Sequence, residues 1–94
     1  MPINPVLNGA QNIATGQVTV NTTATLVLTR RATRRSIGIL NTGTTTIYIG
    51  VAGVSATTGH QLPSGSFIGL PATAEVWAIS VTSAGTVTYV EAYD

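Results

Sequence analysis

The side chains able to do chemistry are few in this 94-residue chain. His60, Glu75, Glu91, Asp94 and the tyrosines Tyr48, Tyr89 and Tyr93 titrate, and Arg30, Arg31, Arg34 and Arg35 carry all the positive side-chain charge. Glycoside hydrolysis needs two carboxylates across a cleft, and Glu75 with Glu91 is the one pair on offer. Its spacing of sixteen residues fits neighbouring strands, but it fits equally well two solvated charges that keep strand edges from pairing. His60 sits in TTGHQLPSG, with no G-x-S-x-G elbow and no acid nearby to build a Ser-His-Asp constellation. One histidine and three dispersed acids provide no zinc or calcium ligand spacing. Lysine and cysteine are absent, which excludes Schiff-base and thiolate chemistry and disulfides. GVAGVSATTG lacks the Lys-Ser/Thr ending and the following helix of a phosphate loop. The reading is a non-enzymatic chain with no cofactor and no metal.

Two features remain as binding candidates. The segment RRATRR places Arg30, Arg31, Arg34 and Arg35 within six residues, between the runs LVLT and SIGIL, at a hairpin tip or at the ends of two paired strands. Arginine suits planar contacts to carboxylates and phosphates. Such a patch can be a solvated loop, a nucleic-acid contact or a dock for an acidic protein surface. Neither interleaved aromatics nor a recognition helix supports nucleic acid, and four like charges in an otherwise nearly uncharged chain point to an anionic protein partner. The last strand sets Val87, Tyr89, Glu91 and Tyr93 on one face, and Glu91 implies that this face meets water or a partner, with Tyr89 and Tyr93 as contacts.

The elements that must position these residues are strands. Seventeen threonines and ten glycines, with no stretch keeping a helical apolar period, read as all-β. Charged residues make up 7%, against about 25% in ordinary domains, while the hydrophobic share of 44% is ordinary. The net charge of +1 disfavours non-specific attraction to nucleic acid or to a membrane surface. No apolar run approaches the roughly 18 residues of a membrane-spanning helix.

Residues 1–16 read as an extended arm, because Pro2 and Pro5 forbid a regular ladder and Asn8-Gly9 is a turn signal. Its apolar residues Ile3, Val6, Leu7 and Ile13 have no period and are expected to order against a neighbouring chain. From Gln17 onward, the runs QVTV, ATLVLT, SIGIL, TIYIGV, SFIGL, EVWAISV and TVTYVEAY, with a weak eighth around His60 to Leu62, predict a domain over 17–94. The expected fold is a small antiparallel β-sandwich or jelly roll of about seven or eight strands. Alternation predicts an inner set of Val18, Val20, Leu26, Leu28, Ile37, Ile39, Ile47, Ile49, Ile68, Leu70, Trp77, Ile79, Val81 and Val90.

With the strands placed, the basic turn leading into RRSIGILNTG, then TIYIG, HQLPSGSFIGL, EVWAIS and the closing TVTYVEA resemble small virion structural proteins of tailed bacteriophages over residues 17–93. The resemblance implies a capsid decoration, cement or head-fibre component with a β-sandwich or jelly-roll fold, and no catalytic residues. It further implies a place at the capsid surface of a virion, in many copies or as a homo-oligomer, bound to the major capsid protein or another virion protein. A receptor- or glycan-binding module of a fibre or tail, with Tyr89, Tyr93 and Tyr48 as its platform, is the other reading.

Overall fold

The computed structural model describes residues 9–94. Among these are eight strands and no helix: β1 (Asn12–Val20), β2 (Thr25–Leu28), β3 (Arg34–Asn41), β4 (Ile47–Gly50), β5 (His60–Leu62), β6 (Phe67–Leu70), β7 (Val76–Ile79) and β8 (Gly85–Tyr93). They form two four-stranded sheets, ordered β1-β8-β3-β6 and β2-β7-β4-β5, in which every pairing is antiparallel. Only β4 and β5 are successive strands of one sheet; every other connection crosses to the opposite sheet. That wrapping is a jelly roll, in which two sheets bury one face each.

Turn chemistry fixes two of the connections locally. Gly65, with φ of 78°, is the third residue of a turn closed by the Ser66 N–H donating to the Pro63 carbonyl at 3.0 Å. Gly53, with φ of 80°, has the same place in the turn from Val51 to Val54. A side chain is disfavoured at both.

The core lies between the sheets. Val20, Ile37, Ile39 and Val87 from the first meet Val27, Leu28, Ile47, Ile49, Leu62, Val76 and Ala78 from the second. The alternation expected for β3 and β4 therefore holds. In β2 a register shift between Leu26 and Leu28 buries Val27 and Leu28 together and leaves Leu26 half-buried.

Two strands take the opposite phase to the one expected. In β7 and the residue after it, Val76, Ala78 and Ser80 point inward, while Trp77 and Ile79 are half-buried and Val81 is exposed. Trp77 pairs with Leu26 and Gly50 on the outer face, where the 51–59 loop lays buried Val54 over Gly50. That covered outer face accepts apolar residues, so both phases of VWAIS look like core. In β8, Val87, Tyr89, Glu91 and Tyr93 face inward, and Val90 is exposed.

Strand β1 pairs with β8 along its whole length, from Asn12 opposite Tyr93 to Val20 opposite Gly85. The expected arm therefore gives way to sheet at Asn12, and residues 1–8 lie outside the described residues. Gly16 is no breaker there: a Cβ on it would stand 2.6 Å from Oη of Tyr89, so the bare backbone makes room for that ring. Ile13 belongs to this strand and is exposed.

At the far end of β3, Asn41 is fully buried with every polar group paired. Its Nδ2 donates to the Thr45 carbonyl at 2.8 Å and the Leu62 carbonyl at 2.9 Å, and its Oδ1 accepts from the Gly43 N–H at 3.0 Å. One side chain thus fastens the β3–β4 turn to the end of β5. Asn41→Ala is expected to lower stability by about 1–3 kcal/mol for each partner left dry and unpaired. Thr44→Ala, exposed beside it, should stay within about 0.5 kcal/mol by urea unfolding.

Candidate functional site

The arginine segment connects β2 to β3 and so crosses between sheets; it is not a hairpin tip. Its turn is closed by the Arg34 N–H donating to the Arg31 carbonyl at 3.1 Å, and held to the β6–β7 loop by the Arg31 N–H donating to the Thr73 carbonyl at 3.0 Å. Arg34 then points inward, with none of its side chain exposed. Its Nε donates to Glu91 Oε1 at 2.9 Å, its Nη1 to the Ala74 carbonyl at 3.0 Å and the Ala72 carbonyl at 3.4 Å, and its Nη2 to the Thr29 carbonyl. The rigid guanidinium fork serves four acceptors on three segments, which an ammonium could not do in a plane.

Arg31 approaches the same carboxylate, Nε to Oε1 at 3.4 Å, and stacks its guanidinium 3.6 Å from the Tyr93 ring centroid. Arg35 donates to Asp94 Oδ2 at 2.7 Å, and the Gln11 N–H donates to Asp94 Oδ1 at 3.2 Å. The Arg35 hydrogen bond is the main cause that lowers the Asp94 carboxyl below its ordinary pKa; desolvation opposes it, and the Gln11 N–H and the Arg35 charge add lesser lowering contributions. Three of the four arginines are thus engaged with carboxylates of their own chain. Arg30 is exposed and lines a shallow concavity with Val51, Ala52, Ala74 and Glu75.

The expected tyrosine platform is not assembled. Tyr89 lies over Gly16 against the core, Tyr93 lies beneath Arg31, and Tyr48 is on the outer face of the other sheet. Glu75 and Glu91 are also separated in kind. Glu91 is buried among arginines, whereas Glu75 is exposed and accepts a hydrogen bond from Trp77 Nε1 at 3.1 Å.

The surface best suited to binding is one that charge and motif did not single out, the outer face of the sheet β1-β8-β3-β6. Ile13, Thr15, Gln17 and Thr19 of β1, Thr86, Thr88, Val90 and Ala92 of β8, Ser36, Gly38 and Leu40 of β3, and Phe67 and Gly69 of β6 share it. None of them is ionisable. Of the six exposed large apolar side chains among the described residues, four are here: Ile13, Leu40, Phe67 and Val90. Phe67 is 63% exposed and crosses over Gly38, where a Cβ would stand 2.7 Å from its Cζ. Beside the ring runs a groove of about 580 Å³ lined by Thr15, Gln17, Leu40, Thr88 and Val90. Part of this was legible in the sequence: with Ile37, Ile39, Ile68 and Leu70 inward, Leu40 and Phe67 have to point out.

No family model and no curated protein sequence matches the chain. Solved structures share its fold. The stem and receptor binding domain of the spike protein P1 from bacteriophage PM2 aligns over 76% of this chain and 29% of its own, at 16% identity and TM-score 0.64. An HTH_3 family transcriptional regulator from Vibrio cholerae aligns over 87% of this chain and 43% of its own, at 12% identity and TM-score 0.63. An RmlC-like cupin from Shewanella frigidimarina aligns over 87% of this chain and 67% of its own, at 12% identity and TM-score 0.57. The chain spans less than half the length of the first two. Spike, regulator and cupin differ in what they are, so these likenesses speak for the jelly roll alone.

The buried pair and the terminal one behave differently on perturbation. Glu91→Gln or Arg34→Met alone is expected to cost about 3–5 kcal/mol, because each leaves an uncompensated buried charge or unpaired carbonyls, and the double variant should cost clearly less than the sum. For Asp94, the depressed folded pKa means that its stabilising contribution is present above the unfolded pKa and is lost as pH falls through the folded one. A carboxyl-carbon NMR titration should place the Asp94 side-chain midpoint below the ordinary value, and Arg35→Gln should raise it.

Proposed function

We propose that this chain is a non-enzymatic structural component of a tailed-phage virion, a decoration or cement protein bound at the capsid surface in many copies. The observation that carries the reading is a jelly roll most of whose charge is paired within the chain. Arg31, Arg34 and Arg35 are engaged with Glu91 and Asp94, and one sheet face keeps, among the described residues, no ionisable group but the Arg35–Asp94 pair at its end. A surface so poor in charge favours association, which a protein that resides in an assembly tolerates. The sequence resemblance to phage virion proteins and the fold shared with a phage spike domain support the same reading. Its partner is the major capsid protein or another virion protein. Ile3, Val6 and Leu7, which precede the first described strand, supply a further contact.

The competing reading, a receptor- or glycan-binding module of a fibre or tail, draws on the receptor binding domain among the structural likenesses and on the concavity at Arg30 and Glu75. It requires host-cell adsorption to fall on Arg30→Ala.

Binding to purified heads of the phage that encodes the chain is the test. Saturable binding is expected, with an affinity that changes less than about threefold between low and high salt, since most arginines are already engaged. Deleting residues 1–8 should weaken attachment without shifting the melting of the sandwich. Folded protein that shows no saturable binding to heads overturns the proposal.

A further inference from the structure

The outer face of the sheet β1-β8-β3-β6 has a shape that bears on what covers it. Its ridge is the Phe67 ring, which rises from edge strand β6 and crosses Gly38 of β3. Its groove runs beside the ring, floored by Thr88 and Val90 of β8 with Thr15 and Gln17 of edge strand β1, and is walled on the ring's side by Leu40 of β3 and Phe67. The ridge thus stands over β6 and β3, and the groove opens beside it toward β8 and β1. From this arrangement we infer that the face pairs with a second copy of the same chain. A twofold axis parallel to the strands, midway between two such faces, sets the Phe67 ridge of each copy over the β8–β1 groove of the other. That is the reciprocity an isologous interface requires.

Charge permits the same occupant, and area sets how strong the pairing is. Like charges would oppose the pairing of identical surfaces, and the charges at this face, Arg35 and Asp94, neutralise each other at its end nearest Asn12 of β1. A face four strands wide at about 4.8 Å spacing and about seven residues long at about 3.3 Å rise has a plan area of roughly 440 Å² per copy. Two copies cover roughly 900 Å², below the roughly 1,200 Å² of standard interfaces and in the range of weak, transient ones. Threonine, glutamine and glycine make up most of the surround, so the dimer is a modest one in the micromolar range, with the aromatic ring as its anchor.

The inference is independent of attachment to a capsid, because it is read in solution. Sedimentation equilibrium of the full chain from about 5 to 500 µM is expected to show a monomer–dimer equilibrium. Thr88→Arg places a guanidinium in the groove of both copies and should weaken the dimer at least tenfold. Phe67→Ser removes the ridge and should do the same. Both sites are on the outer face, so circular dichroism and melting at low concentration should match the parent. Should Thr88→Arg not fold, Phe67→Ser decides alone. A monomer across the whole range overturns the inference, as does a dimer that survives whichever of the two variants folds. A monomer whose head binding is lost in Thr88→Arg also overturns it and gives the face to the shell protein.

Discussion

A single guanidinium sets the architecture of one end of this molecule. Arg34 enters the interior from the crossover between β2 and β3, and there it meets Glu91 of β8 and three backbone carbonyls from the end of β2 and the β6–β7 loop. Removing both charges from water costs several kcal/mol per ion, and only geometry that satisfies nearly every donor offsets it. The constraint spreads outward from there. Glu91 can face inward only if Val87 and Tyr89 do as well, so the phase of the longest inner strand follows from the ion pair. Tyr93, in the same phase, is then placed under Arg31, and Asp94 is brought to Arg35 and to the start of β1.

The opposite end is held by neutral groups. Asn41 and Ser80 are fully buried, and each is hydrogen-bonded to carbonyls or hydroxyls of the turns that reverse the chain there. A sandwich this thin has little apolar volume, and polar side chains that satisfy turn backbones inside the core remove the penalty those turns would otherwise bring. Glycines complete the fit where large side chains cross a strand. Gly16 yields to Tyr89 and Gly38 to Phe67, so the one aromatic packs inward and the other outward on the same sheet.

These arrangements explain a surface with little charge. The charged groups are concentrated where they neutralise one another, and the long strands β1 and β8 present threonine, glutamine and aliphatic side chains instead. A hydroxyl keeps such a face wetted without giving it the long-range repulsion that holds molecules apart.

The amino-acid sequence by itself determined the all-β class, the short strands from β2 onward, the turns at Asn41–Thr44 and Pro63–Gly65, and the inner phase of β3, β4 and β6. Those follow from local rules: threonine and β-branched residues suit a pleat, glycine and proline interrupt it, and period-two alternation exposes a phase when one set is clearly apolar. Tertiary structure decided the rest. In β7 and β8 both phases carry residues that can be buried, and only the facing sheet, the loop over Gly50 and the ion pair choose between them. The partners of Arg34 and Arg35 lie 57 and 59 residues along the chain, a separation across which charge clustering gives no direction. Whether four arginines repel, bind a partner or fold inward depends on where two distant carboxylates arrive, and the sheet order alone brings them there.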